Sequence, residues 1–158
     1  MPFRRLDTLP AIAGHVWLAA MPGRLEPWEN FLTQAQAAAL TRVVCLTPRH
    51  EIASVSPSYL AALTRGDVPF VWQHLPMRDF GLAEQVQAFR DGIEVIATGV
   101  LAGDSVLLHC AAGIGRTGTA AACLLKRLGL PTDQALRQVR EAGSSPESAL
   151  QSGLIDQF

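Results

Sequence analysis

Four short apolar runs set the architecture that this chain can adopt: Val16-Trp17-Leu18-Ala19, Val43-Val44-Cys45-Leu46, Phe70-Val71-Trp72 and Val106-Leu107-Leu108. Such runs read as strands buried on both faces, as in a parallel sheet covered by helices. Helical patterns lie between them. Trp28, Phe31, Leu32, Ala35 and Ala39 recur at helical spacing after Pro27. Ser56-Pro57 starts a helix that stops near Gly66. Leu82, Val86, Phe89, Ile93, Ile96 and Val100 step by three and four, an amphipathic helix. Residues 118–128 follow the last strand as a helix, with Ala120, Ala121 and Ala122 as its packed face. Ala135, Leu136, Val139 and Ala142 mark another helix before Gly143, and Ser145-Pro146 opens a final short one. Strands alternating with helices predict an α/β fold with a central, mostly parallel sheet flanked by helices. No repeat, linker or low-complexity tract interrupts the chain, so residues 1–158 are expected to form a single domain. Hydrophobic residues make up 49% and charged residues 17%, which excludes a disordered chain.

The last apolar run leads into His109-Cys110-Ala111-Ala112-Gly113-Ile114-Gly115-Arg116-Thr117. A strand that ends at a cysteine, a glycine-bearing loop and a helix N-terminus together make a cradle for a tetrahedral anion. Successive backbone N–H groups converge there, and the helix dipole adds positive potential. A cysteine at the base of such a cradle is held as the thiolate near neutral pH. Arg116 would grip two phosphate oxygens with its planar fork. The phosphate-binding set is then Ala111, Ala112, Gly113, Ile114, Gly115 and Arg116, with Cys110 as nucleophile. Thr117 offers a hydroxyl to the thiolate or to the start of the helix. His109 supports the loop through hydrogen bonds, and no neighbouring ligand makes it a metal site.

Two other phosphate loops fail on the same residues. Gly113-x-Gly115-x-x-Gly118 spells the dinucleotide fingerprint, but no second strand ending in an acidic residue follows. The helix instead runs on to Leu130-Pro131, and Asp133 opens another helix. A Walker A loop needs Gly-Lys-Ser/Thr, which is missing. A buried structural cysteine would explain Cys110 alone, not the glycines, arginine and hydroxyl at their offsets.

The spacing C-x5-R-T preceded by histidine resembles the signature of the protein tyrosine phosphatase superfamily. The stretch His109-Cys110-Ala111-Ala112-Gly113-Ile114-Gly115-Arg116-Thr117-Gly118-Thr119 is similar to the small atypical dual-specificity phosphatases. The runs around Val16–Gly23 and Thr41–Thr47 resemble the early strands of the same family. The resemblance implies the cysteine-phosphatase, dual-specificity-like fold and a metal-free, cofactor-free phosphomonoesterase. It implies a general acid at Asp79, since Pro76-Met77-Arg78-Asp79 resembles the family's P-I-x-D segment, with Glu84 the spare candidate. Asp104, in a turn before the catalytic strand, reads as structural. Glu147-Ser148-Ala149-Leu150-Gln151 resembles the segment E-T-x-x-Q, which makes Gln151 a candidate for positioning water; a helix-surface glutamine is the equal alternative. Relatives place R-P-G-S before that segment, whereas here Ala142-Gly143-Ser144-Ser145-Pro146 lacks the arginine. Some relatives protect the nucleophile through a disulfide to a second cysteine, for which Cys45 is the candidate. Cys45 and Cys123 otherwise read as core residues, and His50 and His74 form no constellation.

The net charge of −1 gives no reason to expect nucleic acid or an anionic membrane as partner. No apolar run reaches the length of a membrane span, and Pro10 and His15 break the N-terminal stretch as a signal peptide. Three sparse cysteines fit a reducing cytoplasm. The expected partner is a phosphorylated protein or peptide. Phosphotyrosine is favoured, with its ring resting on Phe80 or Ile114; phosphoserine and phosphothreonine are slower. A phosphoinositide or small-molecule phosphatase, a non-catalytic phospho-residue binding module and a thiol transferase such as an arsenate reductase are the other readings. The last wants a resolving cysteine pair, which the sequence does not place near Cys110.

Overall fold

The four apolar runs form four parallel strands, and a fifth strand joins them at one edge. The computed structural model describes residues 3–78 and 86–158. The strands are β1 (Arg4–Leu6), β2 (His15–Ala19), β3 (Arg42–Cys45), β4 (Val71–His74) and β5 (Ser105–His109), in the sheet order β1-β2-β5-β3-β4. β1 pairs antiparallel to β2, and the remaining ladders are parallel. β5 lies at the centre with all five residues buried. Its register sets His109 opposite Ala19 on one side and Cys45 on the other.

Alternate side chains of the central strands serve two layers. Val106 and Leu108 join Val16, Leu18 and Val44 in a core closed by α4 (Val86–Leu101), α5 (Gly115–Arg127), α6 (Thr132–Glu141) and α7 (Ala149–Asp156). Leu107 and Val43 face the other way, against Phe31 and Ala35 of α1 (Trp28–Ala37). Ile52 of α2 (Arg49–Val55) and Tyr59 of α3 (Pro57–Arg65) cover Cys45 and Met21. α5 is the inner helix: every residue from 115 to 125 is buried, and Ala120, Ala121 and Ala122 are fully so. Small side chains there let α5 approach the sheet and its neighbours closely. No helix among the described residues is long and apolar enough to cross a membrane.

Several local details differ from the sequence expectation. Phe70-Val71-Trp72 was expected to be buried on both faces, but β4 is an edge strand and Val71 is 55% exposed. β1 carries two arginines in three residues and has no apolar pattern; it is held by pairing with β2. α5 starts at Gly115, so Arg116 and Thr117 sit in its first turn. The final helix starts at Ala149, not at Ser145-Pro146. Ser148 caps it by accepting from the Gln151 N–H at 3.1 Å, an N-cap bond that no proline can supply. α2 has no sequence counterpart, being a short helix with only Ile52 buried. Leu82 lies outside the described residues.

Candidate active site

Cys110 follows the end of β5 and lies 2% exposed at the base of the loop. Two donors converge on its sulfur: the Gly113 N–H at 3.2 Å and the Thr117 hydroxyl at 3.0 Å. The loop's carbonyls are tied to surrounding elements. Ala111 O accepts from the Met21 N–H at 3.2 Å, and Ile114 O accepts from the Gly118 and Ser145 N–H groups at 2.8 and 3.2 Å. Gly113 O accepts from the Ser144 hydroxyl at 2.7 Å and from Arg4. In a planar trans peptide the N–H opposes the C=O. Tying back these three carbonyls therefore turns the N–H groups of Ala112, Ile114 and Gly115 to the other side. Such a ring can receive a tetrahedral oxyanion.

Gly113 is required for two reasons. Its φ is +77°, and a Cβ there would stand 2.5 Å from the backbone of Ala19. The loop leaving β2 thus packs directly on the cradle. Gly118 gives similar clearance to α5, since a Cβ would meet the Ser145 backbone at 2.7 Å.

Arg116 is 3% exposed and held in a fork. Its Nη1 and Nη2 donate to Oε1 and Oε2 of Glu51 at 3.0 Å each, and Nη1 also donates to Met77 O at 3.0 Å. These bonds aim the planar fork at the wall of the cavity over Cys110, and a guanidinium so aimed suits bidentate oxyanion binding. Met77, two residues before Asp79, thus contacts the arginine through its backbone. Asp79, Phe80 and Glu84 lie outside the described residues.

Behind the cradle runs a directed chain of hydrogen bonds. Trp72 Nε1–H donates to the Tyr59 hydroxyl at 2.8 Å, and Tyr59 OH lies 2.8 Å from His109 Nε2. His109 Nδ1 is 3.1 Å from Cys110 O. Burial pushes the His109 pKa down to about 4 against the bond to Cys110 O, with His74 and Arg116 adding to the fall. Burial likewise holds the Tyr59 hydroxyl well above its usual range. A neutral ring protonated at Nδ1 satisfies the whole chain: Tyr59 donates to Nε2, and Nδ1–H supports the peptide of the nucleophile.

Gln151 is fully buried, which corrects the surface-glutamine alternative. Its Oε1 accepts from the Glu147 N–H at 2.7 Å, and its buried Nε2 has no hydrogen-bond partner among the described residues. Glu147 lines the small cavity over Cys110, about 210 Å³, with Arg24, Ala111, Ala112, Gly115 and Arg116. Arg24 donates to Ala111 O at 2.7 Å from the rim. A wider hollow of about 690 Å³, lined by Leu32, Leu40, Val68 and Phe70 among others, lies away from these groups. Asp104 binds Thr41 at 3.0 Å and ends no part of the cradle. Cys45, Cys110 and Cys123 are free thiols. Cys45 Sγ sits 3.2 Å from the Thr47 hydroxyl, its pKa raised by burial; burial pushes Cys123 up to about 12. Among the described residues no group of three or more His, Cys, Asp or Glu could hold a metal ion.

A family model described as "polymorphic toxin system, DSP-PTPase phosphatase" matches residues 20–130, from the end of β2 through α5. The chain belongs to this phosphatase family. Solved structures of dual-specificity and tyrosine phosphatases share its fold. A kinase-associated phosphatase with serine in place of its catalytic cysteine superposes with a TM-score of 0.84 at 19% identity, covering 100% of this chain and 94% of that one. Tk-PTP in its active form gives 0.71 at 26% identity, covering 95% and 97%. PTPMT1 in complex with PI(5)P gives 0.73 at 18% identity, covering 99% and 93%. No curated protein sequence matches the chain. The cysteine-phosphatase family is thus shown, and with it a hydrolase of phosphorylated substrates.

Sequence reasoning passed over Glu51, Tyr59, Arg4 and Ser144. Glu51 stands in a segment with no motif, Ser144 in one compared with R-P-G-S only for its missing arginine, and Tyr59 is an ordinary apolar-face residue of α3. Only the loop's need for partners to its carbonyls foretells such residues, not where they come from.

Proposed function

We propose that the protein hydrolyses phosphomonoesters through a cysteinyl-phosphate intermediate, with phosphotyrosine in proteins or peptides favoured over phosphoserine and phosphothreonine. The observation that carries this reading is the convergence of the Gly113 N–H and Thr117 hydroxyl on Cys110 Sγ, below a cavity walled by Arg116. In the first step the sulfur attacks phosphorus in line and the P–O bond to the leaving group breaks. Asp79 gives that oxygen its proton. Arg116 and the inward N–H groups hold the three equatorial oxygens, most tightly as charge spreads over them. In the second step water attacks the phosphorus, Asp79 takes the water's proton, and the S–P bond breaks. Thr117 hydrogen-bonds the departing sulfur. The buried Gln151 beside Glu147 is the residue best suited to hold that water.

Substrate preference follows from the lining. Ala111, Ala112 and Ile114 bring no cation to the cradle, and Glu147 puts a carboxylate on its wall. A headgroup with several phosphates gains little there beyond its reacting phosphate, although Arg24 at the rim works in its favour. Ile114, 40% exposed, offers apolar surface to an aromatic ring.

The test compares kcat/KM for matched phosphotyrosine, phosphoserine and phosphothreonine peptides with that for a soluble polyphosphoinositide, in chelator, for wild type and Cys110→Ser. Phosphotyrosine is expected to lead and Cys110→Ser to be inactive. Preference for the inositide overturns the substrate class, and turnover by Cys110→Ser overturns the mechanism.

A further inference from the structure

We infer that Arg4, on the antiparallel edge strand β1, is a positioning residue of the catalytic cradle: its guanidinium fixes the Gly113–Ile114 peptide and supplies a fixed positive charge behind Cys110. This inference rests on the phosphatase reading above and concerns how the same site is held ready.

Arg4 spans two segments that the sequence keeps far apart. Its Nη2 donates to Gly113 O, and its Nη1 donates to Ala142 O at 2.8 Å and to the Ser144 hydroxyl at 2.9 Å. Ser144 in turn donates its proton to Gly113 O at 2.7 Å. One carbonyl of the cradle is therefore gripped by two donors that are themselves bonded to each other. Its peptide plane is fixed, and the N–H on the opposite side of that plane belongs to Ile114, inside the cradle. Substrate does not have to pay for turning that amide when charge develops on the phosphoryl oxygens.

The surroundings are shaped for this side chain. A Cβ on Gly143 would lie 2.9 Å from Arg4 Nη1, and Gly143 takes φ +88°. The α6–α7 connection thus leaves room where the guanidinium lies. Ser144 is 2% exposed. Pairing of Arg4 with Leu18 across the β1–β2 ladder sets the height of the side chain on the sheet.

Charge gives a second line of argument. The hydrogen-bond partners of Arg4 are two carbonyls and a hydroxyl, all neutral. Its Nε is buried with no hydrogen-bond partner among the described residues. Burial lowers its pKa, and the neighbouring Cys110 acts in the opposite sense. A half-buried cation bonded to neutral groups is costly unless an anion nearby answers it. The charged partner within electrostatic reach is Cys110, on the strand-side of the same loop whose Gly113 carbonyl Arg4 holds. Of the other charged groups that line the cavity over this sulfur, Arg116 is engaged by Glu51, Arg24 donates to Ala111 O at the rim, and Glu147 adds a carboxylate that opposes them.

The experiment uses Arg4→Met, Arg4→Lys, Ser144→Ala and, as control, Arg5→Met on the neighbouring exposed arginine. Three readouts are taken well below each variant's Tm: kcat/KM for an aryl phosphate, inhibition by orthovanadate, and the pH profile of iodoacetamide alkylation at Cys110 followed by mass spectrometry. Arg4→Met is expected to lose between about tenfold and a hundredfold in kcat/KM, the scale of a mispositioned reacting group. It should also bind vanadate more weakly and shift the alkylation profile to higher pH. Arg4→Lys should restore the alkylation profile more fully than vanadate binding, because it returns the charge but not the fork. Ser144→Ala should weaken vanadate binding and leave the alkylation profile in place; it carries the test should Arg4→Met fail to fold. Arg5→Met should behave as wild type. A folded Arg4→Met with wild-type rate, vanadate affinity and alkylation profile overturns the inference, as does a loss of Tm alone. Should wild type turn over no phosphomonoester, the proposed function falls, yet the alkylation profiles, which need no turnover, still decide the role of Arg4.

Discussion

Glu51 grips Arg116 with both carboxylate oxygens, 3.0 Å to each terminal nitrogen, from the first turn of a helix on the far side of β3. The arginine is almost fully buried and the carboxylate 23% exposed, so the pair is neither a surface bridge nor a sealed one. Removing one partner of a fully buried pair costs about 3–5 kcal/mol, and the partial exposure of Glu51 places its loss below that range. Glu51→Ala should therefore lower Tm and reduce kcat/KM by about tenfold or more, because an arginine misplaced by 1 Å forfeits up to about a hundredfold. Glu51→Gln keeps an acceptor for one nitrogen and should fall between. Steady-state rates with an aryl phosphate and a melting curve decide it; a wild-type rate in Glu51→Ala would show that Met77 O suffices to aim the fork.

Thr117 donates to Cys110 Sγ at 3.0 Å, and a sulfur that must leave as an anion needs that donor most in the second step. Thr117→Val preserves shape and deletes the hydroxyl. It should slow dephosphorylation more than formation of the intermediate, so that rapid-mixing experiments show a burst of phenol larger than that of wild type. Equal slowing of both phases would assign the hydroxyl to holding the helix terminus alone.

Asp79→Asn removes the proposed proton donor. Turnover should fall by roughly a hundredfold or more for leaving groups that need a proton, the usual scale for general acid catalysis. Aryl phosphates of very acidic phenols should suffer less. A small and uniform effect across leaving groups would move the role to Glu84, tested by Glu84→Gln.

His109 couples stability to pH. Its folded pKa of about 4 lies below the ordinary 6.5, so the unfolded chain binds a proton between those values while the folded chain does not. Stability from this group is present above about pH 6.5 and is lost as pH falls toward 4, by about 3 kcal/mol in all. Chemical denaturation at intervals over that window should show the decline, and His109→Asn should flatten it.

The strands and the cradle were legible because each follows a local rule: apolar runs bury, and the spacing of Cys110, Gly113, Gly115 and Arg116 is set by one loop. What stayed hidden is held by long-range contact. Glu51 and Arg116 are 65 residues apart, and Arg4 and Gly113 are 109 apart. Neither partner carries a pattern that predicts the other. β1 was missed because pairing with β2, not apolar periodicity, makes it a strand. β4 was over-buried in the reading because Phe70-Val71-Trp72 is apolar even at a sheet edge, where Val71 meets solvent. The start of the last helix was misplaced because Ser145-Pro146 and Ser148 both look like openings, and only the cap bond to Gln151 separates them.

The helix that bears Arg116 and Thr117 on its first turn is walled in by three other helices and the central strand. Its amides should therefore exchange with solvent deuterium only when the whole molecule opens. The anion-binding ring inherits that rigidity, while its rim is made of surface loops such as the one bearing Arg24. Lineages could then alter what docks at the mouth without loosening the chemistry beneath it. The converse also holds: a mutation in Ala120, Ala121 or Ala122, far from any phosphate, would register first as lost catalysis, because bulk added there displaces the floor on which the reaction stands.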